Sequence, residues 1–508
     1  MSTRITKCRL SLYICALLFS SSACSDKHTP TLPEDPDKPE EEIISPEIEN
    51  FKSNRILIKH GLQLQCWLAS DNFEEAGKLG QPAYVMNPSD WELTGFTAPT
   101  FFGPPLINPS FFKHFPSSQW AMAKAPYGDH LKKGPTDYEK KNGFLKADHK
   151  AHLSNLVTMC FGDEEAYSNA VLNYLTAWYK VARHHYPDVL IHNNQYPGQW
   201  TKSNLRKYIK TAKPDLLTYD WYYFHTSDPD NYIGAKDIAS HLMDYRELAL
   251  EGIDGDHKNY IVFGQYIQGY VNQGTYRITE SQLRLYYFMT LTFGGKWLNW
   301  FRYLQGNGYS GKTEPTEWSL LFEQGMPGKP TIHMKWANLC NKECMYLSDY
   351  LVRLKTKEVG FVSGSSELTE GCPNNMHSLN RKKTCIKNIS GCLMEGSNET
   401  DKRGDLYVGT FEVIPEEEQG DPKFFKNGES AFFMITNGLA SKLEQEAKPL
   451  AQCVTLTIDM ADAKNKKLFW INMDTGKKEE LETIKEEENL YTYKFTVNGG
   501  SGTLFIVE

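Results

Sequence analysis

The sequence carries no surplus of positive charge: 55 Lys and Arg face 63 Asp and Glu, for a formal net charge of -8. A chain without a basic stripe lacks the electrostatic footprint of nucleic-acid binding, and no nucleic-acid partner is expected. Neither H-E-x-x-H nor G-x-S-x-G occurs, which removes the common signatures of zinc peptidases and serine esterases. Cysteine is poorly spaced for metal. Cys340 and Cys344 stand four apart in a helical pattern with no second Cys/His pair to complete a tetrahedral site, so no metal or other cofactor is expected. Cys372, Cys385 and Cys392 cluster in a polar stretch and leave a disulfide open in an oxidising compartment. The stretch "GNGYSG", residues 306–311, spells the dinucleotide-binding pattern, yet Pro315 follows and no helix pattern begins. It reads instead as a lid loop.

What the chain holds in quantity is aromatic side chains, with 11 Trp, 28 Tyr and 26 Phe. Most belong in a core, but ring faces at an open cleft are also what sugar C–H surfaces stack on. The N-terminus has the layout of a secretory leader. Arg4, Lys7 and Arg9 precede an apolar run over residues 10–19, too short to span a bilayer, and small residues 20–23 lead to Cys24. That cysteine resembles the acylation site of bacterial lipoproteins, with Ser21 standing where a bulky apolar residue is usual. Residues 25–50 are rich in Pro and acids, cannot bury a core, and read as an extended tether. The expectation is a body hung from the bacterial cell envelope by a lipid anchor at Cys24, meeting the membrane only there.

A chain of 508 residues suits two folded domains. Between residues 51 and 357 eight apolar runs alternate with amphipathic stretches: "RILIKHGLQLQCWL" from residue 55, "LTGFTAPTF" from 93, "QWAMAKAP" from 119, "NLVTMCF" from 155, "DVLIHNN" from 188, "DLLTYDWYYF" from 215, "NYIVFGQYI" from 259 and "KWLNWFRYL" from 296. Eight is the number that closes a parallel barrel. Helical periodicity covers residues 166–185, 234–251, 280–294 and 329–355, the alternation that places helices outside such a sheet. From residue 358 to 508 the runs alternate with period two between polar turns, as in an antiparallel sandwich. The sequence therefore predicts a (β/α)8 TIM barrel followed by a C-terminal β-sandwich.

In such a barrel the catalytic side chains sit at the C-terminal ends of strands. Read there, the fourth run delivers Asp163, Glu164 and Glu165, and the fifth His192, Asn193, Asn194 and Gln195. The sixth brings Asp220, Trp221, Tyr222 and Tyr223, the seventh Gln265, and the eighth Asn299, Trp300 and Arg302. A helix follows the three acids at once, so Glu165 is expected in its first turn and Asp163 either caps it or reaches substrate. Glu164 is left to face the cleft. Glycosidic cleavage needs a proton for the leaving oxygen and a second carboxylate. Asp220 is the preferred partner and Asp129 a third candidate, with Asp163, Asn194, Trp221, Tyr222, Gln265, Trp300 and Arg302 as substrate-binding residues.

The motifs "FGDEEAY", "KPDLLTYDWYYF" and "ITESQLRLYYFMTLTFGGKWLNWFRY" resemble the (β/α)8 glycoside hydrolases called clan A. More closely, the chain is similar to bacterial lipoproteins with a barrel like that of family 42 β-galactosidases. The likeness covers roughly residues 55–357. It implies an acid/base Glu at the end of strand four, which maps onto Glu164, with Asp163 where an Asn is common. It also implies a nucleophilic Glu at the end of strand seven, where this sequence has Gln265. An amide cannot form the glycosyl ester. Three accounts stay open: Asp220 supplies the second carboxylate, the substrate assists itself, or the barrel binds sugar without cutting it. The expected function is hydrolysis of an exogenous oligo- or polysaccharide with Glu164 as general acid/base. The alternative is a non-catalytic surface glycan-binding protein on the same scaffold.

Overall fold

In the computed structural model, residues 52–68, 88–102, 110–126, 129–272, 275–303, 318–323, 329–393, 402–420, 424–425, 431–461 and 467–508 are described. The expected leader with Cys24, the tether and the 306–311 loop lie outside them. Eight strands pair in parallel and close on themselves: β1 (Gln63–Leu68), β2 (Ala98–Phe102), β3 (Trp120–Ala123), β4 (Leu156–Asp163), β5 (Leu190–Gln195), β6 (Leu216–Tyr219), β7 (Val262–Gln268) and β8 (Trp297–Phe301). β8 returns to β1 with Trp297 against Gln63. This is the barrel that the alternating runs predict.

The first run is part helix. Its opening residues belong to α1 (Lys52–His60), which ends where Gly61 takes φ +81° and its N–H bonds Leu57 O at 2.7 Å, a left-handed stop that glycine adopts without Cβ strain. α1 closes the N-terminal end of the barrel. Lys52 Nζ meets Asp215, just ahead of β6, at 3.0 Å, with both side chains buried. Around the barrel follow α2 (Asn169–His185), α3 (Lys202–Ala212), α4 (Ala235–Glu251), α5 (Glu280–Phe293) and α6 (Ile332–Leu351). α3 escapes the sequence reading because it buries only Leu205, Tyr208, Ile209 and Ala212 on a basic, polar helix.

The inside of the barrel is polar where bulky aliphatic side chains are usual. Gln65 Oε1 accepts from Thr158 Oγ1 and from Trp297 Nε1, each at 3.0 Å, and Asn299 Nδ2 donates to Thr100 Oγ1 at 2.9 Å. His192 joins this layer through Thr218 Oγ1 at 3.0 Å, and burial pushes its imidazole down to about 3. It is a neutral core residue rather than a group at the mouth.

The C-terminal strands are β9 (Leu354–Val362), β10 (Ile386–Leu393), β11 (Leu406–Val413), β12 (Ala431–Asn437), β13 (Gln452–Asp459), β14 (Leu468–Ile471), β15 (Lys478–Glu480), β16 (Lys485–Glu487), β17 (Leu490–Val497) and β18 (Gly502–Val507). They form a six-stranded sheet, β9-β11-β12-β18-β14-β15, and a four-stranded sheet, β10-β13-β17-β16. Strand alternation gives the larger sheet two jobs. Phe432 and Met434 of β12 and Leu504 and Ile506 of β18 join the barrel core, while Phe433, Ile435, Phe505 and Val507 join the sandwich core. Each large side chain so buried stabilises by about 1.5–3 kcal/mol. Arg284 of α5 is held by Glu280 at 2.8 Å and Glu343 of α6 at 2.6 Å, and it reaches Ser501 at 3.2 Å. No disulfide joins the cysteines of the described residues. Cys392 stands opposite Cys453 on the neighbouring strand, not beside Cys372 or Cys385.

Candidate active site

The acids after β4 owe their placement to two breaks in regular backbone. Cys160 pairs with His192, but the next pair on β5 is Asp163 with Asn194, so β4 spends an extra residue at a bulge. A bulge re-aims the side chains beyond it. Asp163, rather than Gly162, thereby faces inward beside Asn194. Gly162 must lack a side chain, since a Cβ there would lie 2.0 Å from Asn193 Oδ1 and 2.4 Å from Glu165 Oε2. Glu164 then takes φ +61° while its N–H still bonds Asn194 O at 3.1 Å. That left-handed conformation is costly for a residue with a Cβ.

Asn194 ties the site together. Its Nδ2 donates to Asp163 Oδ1 at 3.1 Å and to Asp220 Oδ1 at 2.8 Å, so these two oxygens lie no more than about 6 Å apart. Glu164 as a whole is exposed, yet its carboxyl turns in to hydrogen-bond that of Asp220, which is 8% exposed. Burial, followed by the charge and hydrogen bond of Glu164, raises Asp220 well above the usual carboxylate range. Burial raises Glu164 too; the hydrogen bond from Asp220 works against that rise and the charge of Asp163 adds to it. The pair therefore retains one proton where isolated carboxyls have lost theirs. Asp163 instead meets Lys124 Nζ at 3.8 Å, both side chains about a quarter exposed. Lys124, at the end of β3, is itself left-handed at φ +47°.

Glu165 does not decorate a helix. α2 starts at Asn169, capped by Ser168 Oγ, which accepts from Val171 N–H. Asp163 is likewise no cap. The chain between them turns Glu165 back inside, where its Oε2 is buried with no hydrogen-bond partner among the described residues. Burial, then the charge of Asp163, pushes its carboxyl up to about 7. The loop after β5 clamps this stretch, with Gln199 Nε2 on Glu164 O at 2.6 Å and Trp200 Nε1 on Glu165 O at 2.8 Å.

Beside the acids runs an aromatic wall. Trp67 meets Phe301 at 5.8 Å between ring centroids, Phe301 meets Tyr270 at 5.4 Å, and Tyr270 meets Tyr222 at 4.9 Å. The neighbouring charge of Asp220 adds to burial in raising the Tyr222 phenol. Trp221 is 39% exposed and stands against His241 at 5.5 Å. Arg302 follows β8 at the same end, partly exposed over the Phe301 ring.

Three sequence candidates fall elsewhere. Gln265 points out of the barrel: its Nε2 donates to Thr290 Oγ1 of α5 at 2.7 Å, and it pairs with Tyr219 and Leu298. Trp300 is fully buried against Phe96 and the backbone at Gly269, a core ring rather than a sugar platform. Asp129 is exposed ahead of the turn His130–Lys132. Asp220 is close to Glu164 as expected, but too close. Carboxyls that flank a glycosidic bond stand about 5–9.5 Å apart, whereas these two are in hydrogen-bond contact. The residue that sequence reasoning missed is Tyr266. It pairs with the inward Asn299, packs on Trp297 at 5.1 Å, and is the residue β7 turns inward at the level of the acids. Alternation about Gln265 was the signal that could have found it. Among the described residues no group of three His, Cys, Asp or Glu is placed to hold a metal ion.

No family model matches the chain, and no curated protein does. Solved structures of partly similar shape include an endo-beta-1,4-mannanase from Thermotoga petrophila, 10% identical over 77% of this chain and 97% of that one, with a TM-score of 0.35. A beta-galactosidase from the psychrophilic Marinomonas ef1 is 10% identical over 58% of this chain and 62% of its own, with a TM-score of 0.38. A psychrophilic family 10 endo-beta-1,4-xylanase is 10% identical over 56% of this chain and 99% of its own, with a TM-score of 0.33. Likeness of this order bears on none of the site's residues.

Proposed function

We propose that this chain is a glycoside hydrolase acting on an exogenous oligo- or polysaccharide, with Glu164 as the general acid/base. The observation that carries the reading is the hydrogen-bonded Glu164–Asp220 pair at the C-terminal mouth of a closed barrel, beside the aromatic wall. A leaving sugar oxygen needs a proton at neutral pH. Buried Asp220 holds the shared proton and hydrogen-bonds Glu164; Glu164, the open member of the pair, is the one that would pass it to the leaving oxygen. Trp221, Tyr222 and Arg302 lie where sugar rings would rest, and Asp163 and Asn194 where polar substituents would bond.

The test is release of reducing ends from a panel of glycans. Glu164→Gln should lower kcat/KM by about 10²–10⁴-fold, and less for an activated aryl leaving group that needs no proton. Cleavage indifferent to this substitution would discard the assignment. A second reading, binding without cleavage, is favoured by the phenol of Tyr266 standing where a second carboxylate would face the first. Saturable glycan binding with no cleavage on any substrate would establish it. The chain is further proposed to act at the bacterial cell envelope, anchored by lipid at Cys24; loss of fatty-acid labelling in Cys24→Ala would support this, and persistent labelling would refute it.

A further inference from the structure

The Glu164–Asp220 pair accounts for the proton but leaves the attacking group unassigned. Asp163, Glu164 and Asp220 crowd the ends of β4 and β6, bridged by Asn194 on β5 between them. Among the described residues, strands β7, β8 and β1 carry no Asp or Glu. What β7 turns inward is Tyr266, whose hydroxyl is buried and whose phenol burial holds well above its ordinary range. Such a phenol is a poor nucleophile. A carboxylate that shares a wall with the acid cannot reach the face of the anomeric carbon opposite the leaving oxygen, where displacement requires it.

Asp163 can do something else. It is a partly exposed carboxylate next in chain to the acid, steadied by Asn194 at 3.1 Å and Lys124 at 3.8 Å. A carboxylate so placed accepts a hydrogen bond from an N–H on the bound sugar. The rings of Trp67, Tyr222 and Phe301 pack on one another, with Tyr222 within the field of Asp220 and Glu164, and form an apolar surface that suits a methyl group. Resting on the hydrolase reading above, we propose that the cleaved sugar carries a 2-acetamido group, 1,2-trans to the leaving oxygen, and that this group is the nucleophile, oriented by Asp163.

The acetamido oxygen attacks the anomeric carbon as the bond to the leaving oxygen breaks, and that oxygen takes the proton from Glu164. The product is a cyclic oxazolinium whose N–H is held by Asp163. Water then adds to the anomeric carbon, giving one proton back to Glu164, and the bond to the acetamido oxygen opens. The net change is hydrolysis with retained configuration.

The experiment uses paired 1,2-trans glycosides, as aryl monosaccharides and as oligosaccharides, that differ only in bearing a 2-acetamido or a 2-hydroxyl group. Turnover is expected on the acetamido member alone. It should fall with each fluorine placed on the acetyl group, and Asp163→Asn should lower it on the order of 100-fold. Comparable turnover of the hydroxyl member, still abolished by Glu164→Gln, overturns the acetamido assignment and leaves the hydrolase reading standing. So does covalent trapping by a 2-deoxy-2-fluoro glycoside. Failure to cleave either member anywhere in the panel overturns both.

Discussion

Glu165→Gln should stabilise the protein, and only above about pH 5. The carboxyl of Glu165 moves from an ordinary 4.5 to about 7 on folding, because its Oε2 is buried without a partner and Asp163 lies close by. A folded value above the unfolded one means that the native state holds a proton the unfolded chain has released. Stability is therefore full below pH 4.5 and declines as pH rises to about 7, where the loss levels off. At about 1.4 kcal/mol for each tenfold change in proton affinity, the loss is at most about 3.5 kcal/mol, less whatever water at the carboxyl's open edge recovers. Gln has the same shape and nothing to ionise. For a chain of 508 residues, an unfolding entropy of about 2.1 cal/mol/K per residue turns that difference into a Tm gain of about 3 °C. Thermal unfolding of wild type and Glu165→Gln from pH 4 to 8.5 measures it. The two should coincide at pH 4 and diverge up to pH 7. A gap of constant size across that range would show that Glu165 acts through packing, and the ionisation argument would fail.

Asp220→Asn exchanges a proton-sharing acid for an amide that donates to the Glu164 carboxylate, which favours the anion and lowers the Glu164 pKa. The alkaline limb of kcat/KM against pH should move to lower pH with activity kept on the acid side; limbs that stay in place under a uniform loss would refute a proton-holding role. Gly162→Ala places a methyl 2.0 Å from Asn193 Oδ1, and should cost about 1–3 kcal/mol together with activity; a normal Tm and rate would mean that the bulge is not needed. Gln265→Glu separates the sequence resemblance from the structure. Thr290 Oγ1 already donates to Tyr286 O at 2.6 Å, so a carboxylate at 265 would face an acceptor inside the core. The expected result is a loss of about 2–4 kcal/mol at pH 7, smaller at pH 4.5, and no gain of activity. Enhanced cleavage at unchanged Tm would place position 265 in the cleft after all.

The barrel was legible because its signal is periodic and repeated: eight apolar runs separated by amphipathic stretches tolerate an error in any one. The first run shows that tolerance, since its opening half is α1 and the barrel still closes. The site was less legible because it depends on single-residue events. Helix periodicity pointed to Ala166 as the start of α2, but Ser168 caps it, and the two residues between let Glu165 fold inward. At β7 the alignment by motif put Gln265 at the mouth; the pleat puts Tyr266 there. No local composition distinguishes these two, since both are fully buried. What differs is the side of the sheet, which depends on register with β6 and β8.

Why should two consecutive acids serve one cleft at all? In a regular strand Asp163 and Glu164 would point to opposite faces, and at most one could reach a molecule in the cleft. The bulge shifts Asp163 onto the inward face, and the left-handed turn at Glu164 swings the next side chain toward Asp220 on the same side. A left-handed residue with a Cβ costs about 1–2 kcal/mol, and a buried pair of carboxyls adds to it. Selection for stability alone would place Gly or Asn at 164 and an amide at 220. The chain holds this arrangement against its own preference because the surrounding contacts outnumber it: Asn194 bonds both neighbours, Gln199 and Trp200 clamp the two carbonyls, and the β4–β5 pairing resumes at Asp163. Strain kept in place by so many independent bonds is the physical argument for the proposed site here, rather than at any of the exposed acids elsewhere on the surface.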